Sequence, residues 1–274
     1  MTSPWRSVRV ESCADREAVL AALFDSGAEG VHEDAGALVT HFPPDTDVAP
    51  VLAAIASADA TAVVSTGDAP QVDWSEWRAS VGAHELGALD IVPPWLAEGR
   101  DPARTIVIDP AMAFGTGEHP TTRGMIRLMQ RVVRSGDVVA DLGAGSAVLS
   151  IAAARLGASR VVAIELDPGA ESSAQENIDR NAAGDTVTYL TGDAEVLLPL
   201  VAPVRVVLAN IVSSVLIELL APMRAALTGG GVAILSGMLL EEREMMQAAF
   251  ARSGWRATEE DVEGEWWSVV VEPA

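Results

Sequence analysis

Residues 141–147 are Asp141-Leu142-Gly143-Ala144-Gly145-Ser146-Ala147. They connect a short apolar run, Val138–Asp141, to a predicted helix, Ala147–Leu156. Glycines at a strand-to-helix turn let backbone N–H groups approach a ligand at the positive end of the helix. The stretch therefore predicts an α/β fold with a ligand site where a parallel strand ends.

Strand and helix patterns alternate over residues 105–274, which predicts a doubly wound, Rossmann-like parallel sheet. Besides the first strand and helix, the predicted strands are Arg160–Glu165, Val187–Leu190, Val204–Ala209 and Val232–Ser236, the last after a glycine turn at Gly229–Gly231. The predicted helices are Gly169–Asn181, Ser213–Leu227 and Leu240–Ser253, and the chain closes with a hairpin of Trp255–Glu259 and Trp266–Val271.

Residues 1–70 have a different pattern, with elements in the order βαββαβ, which predicts a smaller ferredoxin-like α+β domain. The predicted elements are Trp5–Val10, Asp15–Ser26, Gly30–His32, Ala37–Phe42, Val48–Ser57 and Thr61–Ser65. We expect residues 1–70 to be a substrate-recognition domain, residues 71–104 a connector and residues 105–274 the catalytic domain. Within the connector, Asp73–Ser80 is a candidate short helix and Asp90–Val92 a candidate strand.

Acidic residues follow successive predicted strands at the edge where the glycine stretch lies. Asp141 suits an amine, Glu165 suits the two hydroxyls of a ribose, and Asp193 suits the amino group of an adenine. A dinucleotide fingerprint is disfavoured because the position three after Gly145 is Val148 and not glycine. Together these residues indicate a nucleoside with an amino-acid tail, and the arrangement resembles class I S-adenosylmethionine-dependent methyltransferases.

Two further segments narrow the resemblance. Residues 113–122 read A-F-G-T-G-E-H-P-T-T, and the fourth predicted strand ends in Ala209-Asn210-Ile211-Val212. With residues 139–154, these segments are similar to the PrmA family, the methyltransferases of bacterial ribosomal protein L11. The resemblance covers most of the chain, although the first 70 residues match in pattern only.

The resemblance implies S-adenosyl-L-methionine as cofactor, protein amines as methyl acceptors and ribosomal protein L11 as partner. It also implies in-line methyl transfer to an unprotonated amine that is oriented by a catalytic Asn210. The residues expected to bind the cofactor are Thr122, Gly143, Gly145, Glu165, Asp193 and Asn210.

Three positions depart from the family pattern. Ala147 stands where the family usually has glycine, Glu165 where it has aspartate, and Glu118 where it has threonine or another residue. We expect the methyl of Ala147 to be tolerated on a helical backbone with negative φ. His119, between Gly117 and Pro120, is expected to shape the loop rather than act as a general base.

The charge of the chain limits its partners. Acidic residues outnumber basic ones 39 to 18, the net charge is −21, and every basic residue is arginine, with no lysine in the sequence. Such a surface repels phosphate backbones, so direct nucleic-acid binding is not expected, whereas a basic protein partner is allowed. The sequence does not determine the oligomeric state, the target nitrogen or the number of methyl groups added.

Cysteine usage and hydropathy bear on the compartment. Cys13 is the single cysteine, which excludes an intrachain disulfide and favours a reducing cytoplasm. Residues 1–12 have no basic-then-apolar signal pattern, and no apolar run is long enough for a membrane helix. The four histidines are scattered without a cysteine cluster, so no metal site is predicted.

Three alternatives to an L11 methyltransferase stay open at this point. The chain could methylate another protein or a small amine, or it could be a cofactor-binding module without turnover, which Ala147 motivates. An NAD-dependent oxidoreductase is the fourth hypothesis, and Val148 disfavours it.

Overall fold

The computed structural model describes residues 5–28, 30–34, 36–44, 46–69, 81–109 and 117–274. The chain divides into two compact units, Met1–Arg78 and Ala79–Ala274.

The first unit has four strands and two helices among its described residues. They are β1 (Arg6–Ser12), α1 (Arg16–Asp25), β2 (His32–Asp34), β3 (Ala37–Phe42), α2 (Ala49–Ala58) and β4 (Val63–Asp68). The predicted βαββαβ order is confirmed, although β2 begins at His32, where the predicted strand ended. The strands form an antiparallel sheet in the order β2-β3-β1-β4.

Buried and partly exposed residues alternate along β1, which explains how this unit forms an apolar core of its own. Val8 and Val10 are buried, while the residues between and beside them are partly exposed. Successive side chains of a strand point to opposite faces, so only one face of the sheet carries the core. Two helical residues, Leu23 and Ile55, are completely buried in the same cluster.

The second unit is built around a seven-stranded sheet in the order β10-β9-β8-β11-β12-β14-β13. The first five strands in that order run parallel, and β14 pairs antiparallel with both β12 and β13. The strands are β8 (Val138–Leu142), β9 (Arg160–Glu165), β10 (Val187–Thr191), β11 (Val204–Asn210), β12 (Leu227–Leu239), β13 (Trp255–Glu263) and β14 (Trp266–Pro273).

Helices cover both faces of this sheet and produce two apolar layers. The helices are α3 (Pro120–Val132), α4 (Val148–Arg155), α5 (Glu171–Arg180), α6 (Ala194–Val201), α7 (Ser213–Ala226) and α8 (Arg243–Arg252). Residues of α3, α4 and α5 belong to one buried cluster, and residues of α6, α7 and α8 to the other. The predicted α/β class with a parallel central sheet is confirmed.

Most predicted elements of this unit are confirmed, including the closing hairpin. The predicted turn at Gly229–Gly231 is wrong, because these glycines lie inside β12. Helices α3 and α6 were not predicted. Pro199 inside α6 interrupts the local helix signal, since proline cannot donate a backbone hydrogen bond.

A small three-stranded sheet precedes α3 in the second unit. It consists of β5 (His84–Glu85), β6 (Asp90–Val92) and β7 (Thr105–Val107), and β6 pairs with both neighbours. Leu89 and Ile91 belong to the main buried cluster of this unit. The described part of the predicted connector therefore folds with the second unit. The candidate helix Asp73–Ser80 lies outside the described residues.

In the described ranges, no helix is long and apolar enough to cross a membrane. No cluster of three or more histidine, cysteine, aspartate or glutamate side chains that could hold a metal ion occurs there either.

Candidate functional site

A cleft of about 760 Å³ opens at the carboxyl ends of β8, β9, β10 and β11. Four of the predicted site residues line it together: Gly143, Glu165, Asp193 and Asn210. The strand order reverses between β8 and β11, and ligands of open α/β sheets bind at such a point. The cleft volume is in the range of pockets for small molecules.

The glycine loop between β8 and α4 forms one wall of the cleft. Gly143 has a φ of 68°, and a Cβ atom there would lie 2.4 Å from the Ile211 side chain. Gly145 has a φ of 49°, and its amide donates a 2.9 Å hydrogen bond to the Glu165 carboxylate. Both positions require the left-handed conformation that glycine adopts most easily.

Ala147 does not have the expected helical backbone. Its φ is 64° and its ψ is 17°, so it is left-handed, and α4 begins only at Val148. The expectation of a negative φ is therefore wrong, because Ala147 precedes the helix instead of starting it. An alanine in this conformation has its Cβ close to the following carbonyl oxygen, which costs about 1–2 kcal/mol.

Glu165 joins the ends of two strands. Besides the Gly145 amide at the end of β8, its carboxylate accepts a hydrogen bond from the Asp167 amide at 3.0 Å. Each carboxylate oxygen can accept more than one hydrogen bond, so this side chain can hold the loop and still bind hydroxyl groups.

Asp141 is a fully buried carboxyl group at the end of β8. The Ser150 hydroxyl donates a 2.6 Å hydrogen bond to its Oδ2, whereas its Oδ1 is buried without a hydrogen-bond partner among the described residues. Burial raises its pKa to about 7. The Glu165 charge adds to that rise, and hydrogen bonds from Ser150 oppose it. A cation next to Oδ1 would stabilise the charged form.

Asn210 ends β11 and lines the cleft. Its Oδ1 is buried and has no hydrogen-bond partner among the described residues. A buried amide oxygen without a partner costs free energy, which a ligand donor would recover. Asn210 thus lines the cleft with an amide oxygen whose acceptor capacity no described residue uses.

The amino-terminal end of α3 supplies another wall, with His119 and Thr121 lining the cleft. The Thr121 amide donates to His119 Nδ1 at 3.4 Å, so the imidazole caps the helix. The ring also lies edge-on to Trp266, with centroids 4.5 Å apart. Burial and, to a smaller extent, the Arg123 charge lower the pKa of His119, which favours the neutral ring.

Thr122 is not among the residues that line the cleft. Its side chain is completely buried, and its Oγ1 has no hydrogen-bond partner among the described residues. Most of the A-F-G-T-G run before it, residues 113–116, lies outside the described residues. The predicted cofactor contact of Thr122 therefore stays a prediction.

Asp193 lines the cleft and also caps α6. Its Oδ1 accepts a 2.8 Å hydrogen bond from the Glu195 amide. The capping bond alone accounts for an aspartate at this position. Its predicted contact with an adenine amino group stays a prediction.

Several cleft residues were missed from the sequence. Gly237 has a φ of 85°, and a Cβ atom there would lie 2.4 Å from the Ile211 carbonyl oxygen. Trp266 lines the cleft from β14, and Leu166 and Val212 form an exposed apolar rim. The Ser-Gly-Met sequence around Gly237 was the one local signal, since an isolated glycine inside a strand indicates a close backbone approach.

The charge of the cleft has one sign. The charged residues among those described as lining it are all acidic: Glu165, Asp193, Glu195 and Glu218. A low-dielectric cleft lined by one sign of charge concentrates ligands of the opposite sign. This cleft therefore favours a cationic ligand over one with a pyrophosphate group.

Comparisons with known proteins agree with one another. A family model described as ribosomal protein L11 methyltransferase (PrmA) matches residues 6–273. The chain is similar to a ribosomal protein L11 methyltransferase of Thermus thermophilus, with 35% identity over 90% of this chain and 91% of that protein. It is also similar to one of Streptococcus pyogenes serotype M6, with 31% identity over 97% and 95% of the two chains.

A solved structure is similar as well. It is the crystal structure of a ribosomal protein L11 methylase from Lactobacillus delbrueckii subsp. bulgaricus. The TM-score is 0.62 and the identity 27%, and the match covers 70% of this chain and 98% of that chain.

Two alanines with positive φ provide a matched stability test. Ala182, which is exposed, has a φ of 49° at the end of α5, and Ala147 is completely buried. Ala182→Gly should raise the free energy of unfolding by ~1 kcal/mol because it relieves left-handed strain. Ala147→Gly relieves the same strain but removes a buried methyl worth ~0.8 kcal/mol, so its net effect should stay below ~0.5 kcal/mol. Urea denaturation measures both, and a larger gain for Ala147→Gly would mean that its methyl is crowded.

Asp141 predicts a pH-dependent stability. Its folded pKa of about 7 lies above the ordinary value of 3.8, so between these pH values the native state holds a proton that the unfolded chain has lost. Stability contributed by this group therefore falls as pH rises from 4 through 7. Asp141→Asn should match the parent at pH 4 and exceed its free energy of unfolding by ~2–4 kcal/mol at pH 8.

The control for this experiment is Asp185→Asn, which changes an exposed carboxylate. It should change the free energy of unfolding by less than ~0.5 kcal/mol at both pH values. An Asp141→Asn difference that is the same at pH 4 and pH 8 would contradict the raised pKa.

Proposed function

Because the chain belongs to the ribosomal protein L11 methyltransferase family, we propose that it transfers methyl groups from S-adenosylmethionine to lysine or amino-terminal amines of ribosomal protein L11. The observation that carries this proposal is the acidic cleft, where Gly143, Glu165 and Asn210 meet at the carboxyl edge of the sheet. The family match over residues 6–273 supports the same activity.

The residues of the cleft fit the chemistry of this cofactor. S-adenosylmethionine combines a nucleoside with a methionine tail that carries a sulfonium and an ammonium. The buried, unpartnered Oδ1 of Asp141 suits an ammonium group, and the acidic lining suits a cation. Gly143 lines the cleft without a side chain, which permits close backbone approach of a ligand. An NAD pyrophosphate would meet repulsion in the same cleft.

Individual contacts follow from the positions of these groups. We assign the ribose hydroxyls to Glu165, whose carboxylate also holds the glycine loop, and the adenine amino group to Asp193. Gly143 provides a backbone wall, and His119 and Thr121 at the start of α3 provide another. Gly145 and Thr122 do not line the cleft, and their cofactor contacts are retained as part of the proposal.

Asn210 is assigned the catalytic role. When bound, the cofactor supplies an electrophilic methyl group on a positively charged sulfur. The target amine must reach it unprotonated, and the ordinary pKa is about 10.4 for a lysine and about 8 for an α-amine. The unpartnered Oδ1 of Asn210 can accept a hydrogen bond from that amine and orient its lone pair. An amide cannot take up the proton, so the amine loses it to solvent.

His119 is better explained as a structural residue of the cleft than as a general base. Its Nδ1 is engaged with Thr121, and its ring lies against Trp266. This arrangement fixes the start of α3 next to the site. The sequence-based interpretation of His119 as a loop-shaping residue is therefore retained in the proposal.

The first unit is proposed to be the recognition domain, with a ferredoxin-like fold. Every described residue that lines the cleft lies between His119 and Trp266, in the second unit. Residues 1–70 contain eleven acidic residues and three arginines, which favours a basic protein partner. The unit also has an apolar core of its own.

The decisive experiment is methyl transfer from labelled S-adenosylmethionine to purified ribosomal protein L11, with other ribosomal proteins as competing acceptors. Because the chain contains no lysine, methyl-lysine in the reaction belongs to the added protein. Labelling of L11 above the other acceptors supports the proposal. Cofactor binding with labelling of another acceptor instead would indicate a retargeted methyltransferase, and binding without any transfer a module without turnover.

Asn210→Ala should separate chemistry from cofactor binding. Loss of the oriented acceptor should reduce kcat on L11 by ~100-fold, the scale of a misplaced reacting group. Calorimetric affinity for S-adenosylmethionine should change by less than ~10-fold, which is ~1.4 kcal/mol. Ser213→Ala, three residues away with its hydroxyl bonded to Glu242, is the matched control and should keep kcat. Equal kcat values for both variants would refute the catalytic role of Asn210.

Removal of the first unit tests its proposed role. A chain that starts at Ala79 keeps β5 and β6 with β7, whereas a start at residue 105 would remove buried residues such as Ile91. The shortened chain should bind S-adenosylmethionine as the full chain does, while kcat/KM on L11 should fall by ~100-fold, or ~2.7 kcal/mol of recognition. Unchanged kcat/KM would exclude a recognition role.

A further inference from the structure

Two buried asparagines lie one turn apart: Asn177 is on α5, and Asn181 caps the end of that helix. Asn177 is completely buried, and Asn181 is 3% exposed. Buried amide groups must form hydrogen bonds to avoid a large desolvation cost, so their partners show what each side chain holds in place.

Asn177 connects two backbone segments that are far apart in sequence. Its Oδ1 accepts a 3.1 Å hydrogen bond from the Asp109 amide, and its Nδ2 donates to the Ser146 carbonyl oxygen at 3.2 Å. The Arg180 guanidinium also donates to Oδ1 at 2.8 Å. One side chain thus holds the glycine loop and the last described residue before the A-F-G-T-G run.

Asn181 makes equivalent bonds, but to one segment only. Its Oδ1 accepts from the Val107 amide at 2.9 Å, and its Nδ2 donates to the Val107 carbonyl oxygen at 2.7 Å. Its Nδ2 also donates to the carbonyl oxygen of Asn177. These bonds hold β7 without touching the glycine loop, so Asn181 is a natural control for Asn177.

The peptide between Ser146 and Ala147 is held from both sides. Asn177 holds its carbonyl oxygen, and its N–H donates a 2.8 Å hydrogen bond to the Ala144 carbonyl oxygen. The loop reaches this peptide through left-handed conformations at Gly143, Gly145 and Ala147. Fixing one peptide plane in such a loop limits the directions in which the neighbouring amides can point.

We propose that Asn177 is a positioning residue for cofactor binding: it fixes the Ser146–Ala147 peptide and thereby the amides of the glycine loop. The proposal rests on the proposed function, since it assumes that this loop binds S-adenosylmethionine. A preorganised loop loses less conformational entropy when the ligand binds, so loss of the brace lowers affinity. A purely structural Asn177 would affect folding stability alone.

The test compares Asn177→Asp with Asn181→Asp. Asp at 177 can still accept from the Asp109 amide, but it places an oxygen against the Ser146 carbonyl where a donor was. Asp at 181 does the same against the Val107 carbonyl. Both variants should therefore lose stability in thermal unfolding. Calorimetric affinity for S-adenosylmethionine should fall at least tenfold for Asn177→Asp and less than threefold for Asn181→Asp.

Hydrogen exchange of the ligand-free protein gives a readout that does not involve the cofactor. Amides of residues 143–147 should exchange faster in Asn177→Asp than in Asn181→Asp. Equal effects of the two variants on affinity and exchange would overturn the positioning role. If the parent protein binds no S-adenosylmethionine, the proposed function fails, and the exchange comparison still decides whether Asn177 holds the loop.

A second pair of variants tests the proposal if the buried aspartate prevents folding. Asn177→Ser and Asn181→Ser remove the same bonds without adding a charge. The serine at 177 should weaken cofactor affinity at least tenfold relative to the serine at 181. The opposite order, or no difference, would overturn the proposal.

Discussion

Between β8 and β11 the order of the parallel strands reverses, so the helices that follow these strands, α4 and α7, belong to opposite apolar layers. The loops after the two strands consequently diverge and leave a cleft between them. The position of the cleft depends on that reversal. The glycine loop follows β8 and Asn210 ends β11, so the two neighbouring central strands bring a backbone wall and a side-chain acceptor to the same cleft.

The part of the site that follows from local sequence could be predicted. Gly143 and Glu165 could be located at the cleft because strand ends and glycine turns have short-range signals, while their cofactor contacts stay predictions. Gly237 and Trp266 could not be found in this way, since they reach the cleft through pairing of β12 with β11 and β14. Even within the glycine loop, the sequence did not predict the backbone conformation of Ala147. Its backbone is left-handed because the helix begins one residue later than predicted.

The carboxyl groups at the ends of β8 and β9 connect the stability of the protein with the proposed binding of a cationic ligand. Asp141 is buried without a partner for Oδ1, and Glu165 nearby raises its pKa further. In a protein selected for stability alone, an uncharged residue would avoid this cost. A cationic ligand would offset the cost when it binds, so part of its binding energy comes from relief of an unfavourable native state. The same argument applies to the uncharged Oδ1 of Asn210, because a ligand that donates a hydrogen bond to it would offset the cost of leaving it unpartnered.

The glycine loop itself has little freedom left before any ligand arrives. The Gly145 amide is bound by Glu165, the Ala147 amide by the Ala144 carbonyl oxygen, and the Ser146 carbonyl by Asn177. These bonds come from β9, from the loop and from α5, so the shape of the loop depends on three separate parts of the fold. A loop held in this way can contain an alanine at a strained position, because the surrounding bonds maintain a conformation that the residue alone would leave. An alanine at position 147, where the family resemblance predicts glycine, is therefore compatible with an intact loop.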